Sequence, residues 1–193
     1  MMIIQYYISA LAFVLFAVCI AGRTAMLRRK GVKAIVFGAT DKTDFFLVPP
    51  VLLIVYSVFA NAFALPMWRP LSTPFWMSSA PGWIGLVLCF AAVVGIAASL
   101  VSFGDSFRVG IDEKKPDRLV TGGMFAISRN PIYVCFDAFF LGQFLVHRNI
   151  LTAVFIVVFA RLIHRQILRE EEFLKPHYGA EYEAYCLRTR RYL

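Results

Sequence analysis

The 193-residue chain is 60% hydrophobic and 17% charged, with a mean hydropathy of +0.69, which excludes an ordinary soluble globule of roughly half-apolar composition. Aromatic residues at 16% exclude a disordered or collagen-like chain, since such chains lack the apolar surface that offsets ordering entropy. The excess of 20 Lys and Arg over 12 Asp and Glu sits between uncharged runs long enough to cross a bilayer, so it reads as membrane-flanking charge rather than a nucleic-acid surface.

Residues 2–22 carry no charge and span as a first helix. No basic stretch precedes this run, so it reads as a retained helix rather than a cleaved signal. Arg23, Arg28, Arg29, Lys30, Lys33 and Lys42 crowd the connector that follows, closed by Asp41 and Asp44. Residues 45–65 are the second uncharged run, and Pro49-Pro50 marks its helix start, where a missing N–H costs least. Residues 66–81, with Trp68, Arg69, Pro70, Pro74 and Trp76, read as a loop at headgroup level. The third span, 82–103, opens at Trp83, and its Gly85, Gly95, Ala91, Ala92, Ala97 and Ala98 would let a neighbouring helix approach closely. Residues 105–129 form the longest polar segment between spans. Two short apolar runs, 132–146 and 150–160, flank His147-Arg148-Asn149 and predict a helical hairpin. From Arg161 the chain turns amphipathic, with Pro176 and Gly179 expected to break that helix before a second short one with a basic end.

The expected fold is an all-α integral membrane protein of about five transmembrane helices. It forms one domain, with a three-helix scaffold over residues 1–103 and a cofactor-binding and catalytic region over 104–193 around the hairpin at 132–160. With that topology, 18 of the 20 Lys and Arg fall on one side, leaving Arg69 and Arg148 opposite. This places the N-terminus outside and the helical C-terminal tail in the cytosol.

The dense polar chemistry then gathers on the cytosolic face: the loop 105–129, RNPIY at 129–133, and Glu170, Glu171 and Glu172. Gly122-Gly123 lies in no phosphate-loop or dinucleotide pattern. Cys19, Cys89, Cys135 and Cys186 show no paired spacing, and His147, His164 and His177 are scattered, so neither disulfides nor a metal site are expected. His164 and Glu171 are seven apart and share a helical face, which either lines a pocket or is simply solvated. Asp137 within a span is costly unless compensated. Its expected partner is Arg161 on the adjoining helix, or else it forms the polar wall of a pocket.

Two stretches, LVTGGMFAISRNPIYV at 119–134 and EEEFLKPHYGAEYEAY at 170–185, resemble the isoprenylcysteine carboxyl methyltransferase family and its wider relatives, the membrane phospholipid methyltransferases. The resemblance implies a methyltransferase that uses S-adenosylmethionine, releases S-adenosylhomocysteine, and methylates the C-terminal carboxylate of an isoprenylcysteine-type lipidated substrate entering from the bilayer. It implies cofactor contacts from Asp117, Leu119, Val120 and Phe125, from Asn130, Pro131 and Tyr133, and from Glu170. Arg165, Glu171 and Arg129 are the implied catalytic residues. Asn130 stands where the family commonly has His, and Gln166 where it has a substrate-orienting arginine, with Arg165 adjacent. A carboxylate acceptor is already ionised and needs no base. A phospholipid amine, the alternative acceptor, needs one, and Glu171 or His164 is the candidate. A small transporter with broken helices, a structural membrane protein, or a relative of membrane sterol reductases with an RNPxY-like stretch are the remaining readings.

Overall fold

The structure, a computed structural model, describes residues 2–29, 48–103 and 119–193. Its helices are α1 (Met2–Arg29), α2 (Val48–Phe63), the short α3 (Arg69–Ser72), α4 (Ala80–Phe103), α5 (Pro131–His147) and α6 (Ile150–Arg188), with a 3-10 turn at Gly123–Ala126. No strand occurs among the described residues. α1, α4 and α6 are long and apolar enough to cross a membrane, whereas α2 and α5 are apolar but shorter. At 17 residues, α5 reaches about 25 Å.

The apolar runs become helices because in lipid every backbone N–H and C=O must be satisfied within its own segment. α1 continues past its expected end at Gly22 to Arg29, because no proline interrupts it and Thr24 and Leu27 on the added turns are buried. In α2, Pro49 and Pro50 occupy the first turn, as expected. The loop after α2 contains the unforeseen α3 and leaves Trp68 exposed, while Trp76 packs edge-on against Phe144 of α5 at 5.8 Å.

The core is a ladder of rings between α1, α5 and α6. Phe13 meets Phe139 at 5.5 Å, and Phe140 meets Phe159 at 4.5 Å. On α6, Phe155, Phe159, Ile163, Ile167 and Glu171 are all buried, one residue in every four, which is the stripe a single helical face presents. That stripe fixes the phase of α6 and overturns the expected Asp137–Arg161 pair. Arg161 lies off the stripe and is exposed, while Asp137 Oδ1 is enclosed without a hydrogen-bond partner.

α4 and α5 make the closest approach. A Cβ added to Gly142 would stand 2.5 Å from Gly85 O, and one added to Gly85 would stand 2.5 Å from Gly142 O. The small residues expected to admit a neighbour therefore do so at Gly85, and again at Gly95, where an added Cβ would meet Cys135 Sγ at 2.6 Å. Gly142→Val is expected to push these helices apart and cost about 1–3 kcal/mol by overpacking. A thermal melt of the detergent-solubilised variant checks this against wild type.

The hairpin turn is built differently from a solvated loop. Arg148 takes a left-handed backbone (φ 42°) as the C-cap of α5, and Asn149 caps α6 through a reciprocal box with Thr152. Arg148 is fully buried and donates to Ser78 O at 2.9 Å, while Phe75 N donates to Arg148 O at 2.8 Å. The loop after α3 thus closes over this end of the bundle.

α6 continues beyond the apolar run that ends at Ala160, as the amphipathic stretch predicts. It runs on through Arg161 and past Pro176, deviating only at Gly179 (φ 49°, ψ −126°). Proline inside a helix removes one hydrogen bond and kinks it, but the break itself falls at glycine, which takes a positive φ without a Cβ clash.

Candidate active site

The motif residues meet at the end of the bundle opposite the buried turn, where α5 begins, α6 leaves the apolar core and the C-terminal residues fold back. Pro131 at the start of α5 supplies a fixed φ and needs no hydrogen-bond partner there. The residues before it are consequently held by others. Arg129 N donates to Arg190 O at 2.9 Å, Ser128 Oγ to Arg191 O at 3.2 Å, and Asn130 Nδ2 to Arg191 O at 3.1 Å. Asn130, in the position of the family's common histidine, therefore uses its amide to hold the tail.

Glu171 is the hub. Its Oε1 accepts from Arg129 Nη2 at 2.9 Å and Nε at 3.2 Å, and its Oε2 from Arg191 Nη2 at 2.8 Å and Nε at 3.0 Å. Burial pushes the Glu171 carboxyl up, but the hydrogen bonds from Arg191 and Arg129 and their positive charges outweigh it and hold the group below the usual glutamate range. Arg129 also donates to Thr189 O at 3.0 Å. The tail is fastened a further time where Tyr185 OH donates to Phe125 O at 2.6 Å. Burial raises the Tyr185 phenol to about 12, so it remains a donor at neutral pH. Tyr185→Phe is expected to cost about 1 kcal/mol of stability, the net worth of one neutral hydrogen bond, without changing helix content. A thermal melt combined with circular dichroism reads both quantities.

Beside this clamp runs a second chain of contacts. Tyr133 OH donates to Glu170 Oε1 at 2.6 Å, Gln166 Nε2 donates to the same oxygen at 2.8 Å, and Arg169 Nη2 donates to Gln166 Oε1 at 2.7 Å. Gln166, where the resemblance leads one to expect an arginine, thus stands between Arg169 and the Glu170 carboxylate. Phe125 is buried at the 3-10 turn and packs edge-on against Phe103 of α4 at 4.8 Å. Met124 N donates to Ser102 Oγ at 3.1 Å, anchoring that turn to the end of α4.

The structure therefore gathers Arg129, Asn130, Pro131, Tyr133, Phe125, Glu170 and Glu171 at one place. Leu119 and Val120 lead into it as half-buried residues in non-helical backbone. Arg165 is exposed on α6, away from the buried stripe, and Asp117 lies outside the described residues. His164 does not join Glu171. It is exposed and meets the hydroxyl of Tyr192, whereas Glu171 is buried. Tyr185, the last residue of the second motif, carries no site role in the sequence reading, and Arg191 and Tyr192 lie beyond that motif, where only the basic end of the tail pointed toward them. Among the described residues, no group of three His, Cys, Asp or Glu is placed to hold a metal ion.

A model of the phospholipid methyltransferase family matches residues 80–181, from the start of α4 to just past the kink in α6. The chain belongs to that family. It is similar to a protein of Oryza sativa subsp. indica named probable protein-S-isoprenylcysteine O-methyltransferase, at 30% identity over 115 residues, which is 58% of this chain and 59% of that protein. Protein-S-isoprenylcysteine O-methyltransferase of Schizosaccharomyces pombe is 34% identical over 92 residues, covering 46% of this chain and 39% of the yeast protein. Protein-S-isoprenylcysteine O-methyltransferase B of Arabidopsis thaliana is 28% identical over 118 residues, covering 60% of this chain and 58% of its own length. The chain thus spans less than two thirds of these relatives. The resemblance read from the two motifs is borne out. In this member of the phospholipid methyltransferase family the matched region stops short of Tyr185 and Arg191, so the fastening of the tail is completed outside it.

Proposed function

We propose that the protein is an S-adenosylmethionine-dependent carboxyl O-methyltransferase acting on an isoprenylcysteine-type lipid at the membrane interface. The observation that carries this reading is the Tyr133–Glu170 hydrogen bond at 2.6 Å, which joins residues of two separate motifs into one polar seam at the end of an apolar bundle. The names of the relatives supply the acceptor class.

The side chains present suit the donor. Glu170 matches ribose hydroxyls or a sulfonium charge, and Phe125, Tyr133, Leu119 and Val120 match an adenine ring. Bound there, S-adenosylmethionine supplies an electrophilic methyl group. Tyr133 and Gln166 fix the Glu170 carboxylate in advance, so little ordering entropy remains to be lost on binding. Arg129 and Glu171 act as positioning residues, since each already serves the other and the tail. Arg165, on the open side of α6, would orient the acceptor carboxylate. An acceptor that is ionised at neutral pH needs no base, so the remaining work is alignment and exclusion of water. In this reading five helices cross the bilayer, the N-terminus is outside and the seam faces the cytosol, consistent with Arg28 and Arg29 at the same end as the site.

Calorimetry on detergent-purified protein with S-adenosylmethionine and S-adenosylhomocysteine, followed by methyl transfer to a small prenylcysteine and to phosphatidylethanolamine, tests the proposal. Binding of both cofactor forms and methylation of the prenylcysteine are expected. Absence of heat with either form overturns the cofactor assignment, and methylation of the phospholipid alone overturns the acceptor.

A further inference from the structure

Asp137 is the feature that neither the fold nor the clamp uses. It lies inside the apolar α5 and is half-buried, and its Oδ1 is enclosed with no hydrogen-bond partner, in contrast to Glu171, whose two oxygens are both taken by arginines. A carboxylate in a span without a compensating group is costly. Its position is specific. It follows Tyr133 by four residues, so it lies on the same face of α5, one turn of about 5.4 Å further from the Tyr133–Glu170 contact and toward the bilayer. Tyr192 of the tail packs against the same apolar cluster as Tyr133 and Phe136, and its phenol feels the charge of Asp137. In the reading above, a lipid-borne head that reached Glu170 along this face would pass Asp137.

We propose that Asp137 positions the methyl acceptor by accepting a hydrogen bond from a nitrogen-borne hydrogen beside the group that is methylated. An ionised carboxylate is an acceptor only, so its complement is an N–H. In an N-acylated prenylcysteine the complement is the amide N–H, whereas in a phospholipid amine the nitrogen is itself the atom to be methylated and offers no neighbouring N–H. This inference rests on the methyltransferase reading above. A purely structural role makes the opposite prediction for stability, because replacing an uncompensated carboxylate in an apolar helix by leucine leaves the fold as stable or more so.

The test uses the full chain in nanodiscs, with wild type, Asp137→Asn and Asp137→Leu. The acceptors are an N-acyl S-prenylcysteine, an S-prenyl mercaptopropionate that keeps the thioether and carboxylate but has no N–H, and phosphatidylethanolamine vesicles. With the prenylcysteine, Asp137→Leu is expected to raise the acceptor KM about tenfold or more, the worth of a hydrogen bond to a charged group. Asp137→Asn, whose amide oxygen still accepts, raises it less. S-adenosylhomocysteine affinity and kcat stay within about twofold and the melting temperature does not fall. With the mercaptopropionate, the KM of wild type and Asp137→Leu coincide, since there is no hydrogen to lose. Turnover of the vesicles with the same Asp137 dependence overturns this inference, since the methylated nitrogen there has no N–H beside it. An unchanged prenylcysteine KM in Asp137→Leu, or an equal loss with the mercaptopropionate, overturns this inference alone. Wild-type protein that methylates none of the acceptors overturns the functional reading and this inference together.

Discussion

Glu171→Ala is expected to lower stability by about 3 kcal/mol and to release the C-terminal residues from the start of α5. Breaking a buried ion pair costs about 3–5 kcal/mol because it strands the partner charge. The lower end applies here, since the Arg191 side chain is 37% exposed and can turn to water, whereas Arg129 at 12% cannot. A pH dependence follows with a definite sign. The Glu171 carboxyl is held below its ordinary value in the folded protein. Its contribution is therefore complete above the unfolded-state value of about 4.3 and is lost as pH falls below that toward the folded value. Melting temperatures of wild type and Glu171→Gln between pH 7 and pH 3.5 are expected to converge at the acid end. Parallel curves would assign the clamp's strength to something other than this carboxylate.

The second large effect belongs to the neighbouring carboxylate. Glu170→Ala is expected to weaken S-adenosylmethionine binding by about 1.5–3 kcal/mol, roughly 10- to 100-fold in Kd, which is the range for a hydrogen bond to a charged group. Because Glu170 is only half-buried, its stability is expected to stay within about 1 kcal/mol of wild type. Tyr133→Phe removes the 2.6 Å contact but keeps the ring, so it is expected to weaken binding by a smaller factor in the same direction. Titration calorimetry of the two variants against wild type measures both, and equal affinities in all three would move the donor away from Glu170.

The parts of this site that could be read from residue order are those whose signal is local. RNPIY places a proline at a helix start, and the EEEFLKPHYG stretch carries its carboxylates and its helix-breaking glycine within ten positions. Helical periodicity also made the apolar spans legible. What escaped was decided by packing. The phase of α6 depends on which stripe meets the phenylalanine ladder, and that alone determines that Arg161 is exposed while Glu171 is buried. Arg191 reaches a partner 20 residues away, and Tyr185, though it closes the second motif, reaches one 60 residues away, with no spacing in the chain to announce either pairing. Arg148 looked like a turn residue on the far side, yet its left-handed backbone and the carbonyl of Ser78 draw it fully inside.

From Ile150 to Tyr178, α6 has no residue outside helical geometry, a rod of about 43 Å that holds the phenylalanine rings at one end and Glu170 and Glu171 toward the other. Helices answer a change in hydrocarbon thickness by leaning. With no joint between its apolar half and its carboxylates, leaning of this rod would carry Glu170 and Glu171 relative to α5. Under the proposed function, the thickness of the host membrane would thereby bear on how donor and acceptor line up.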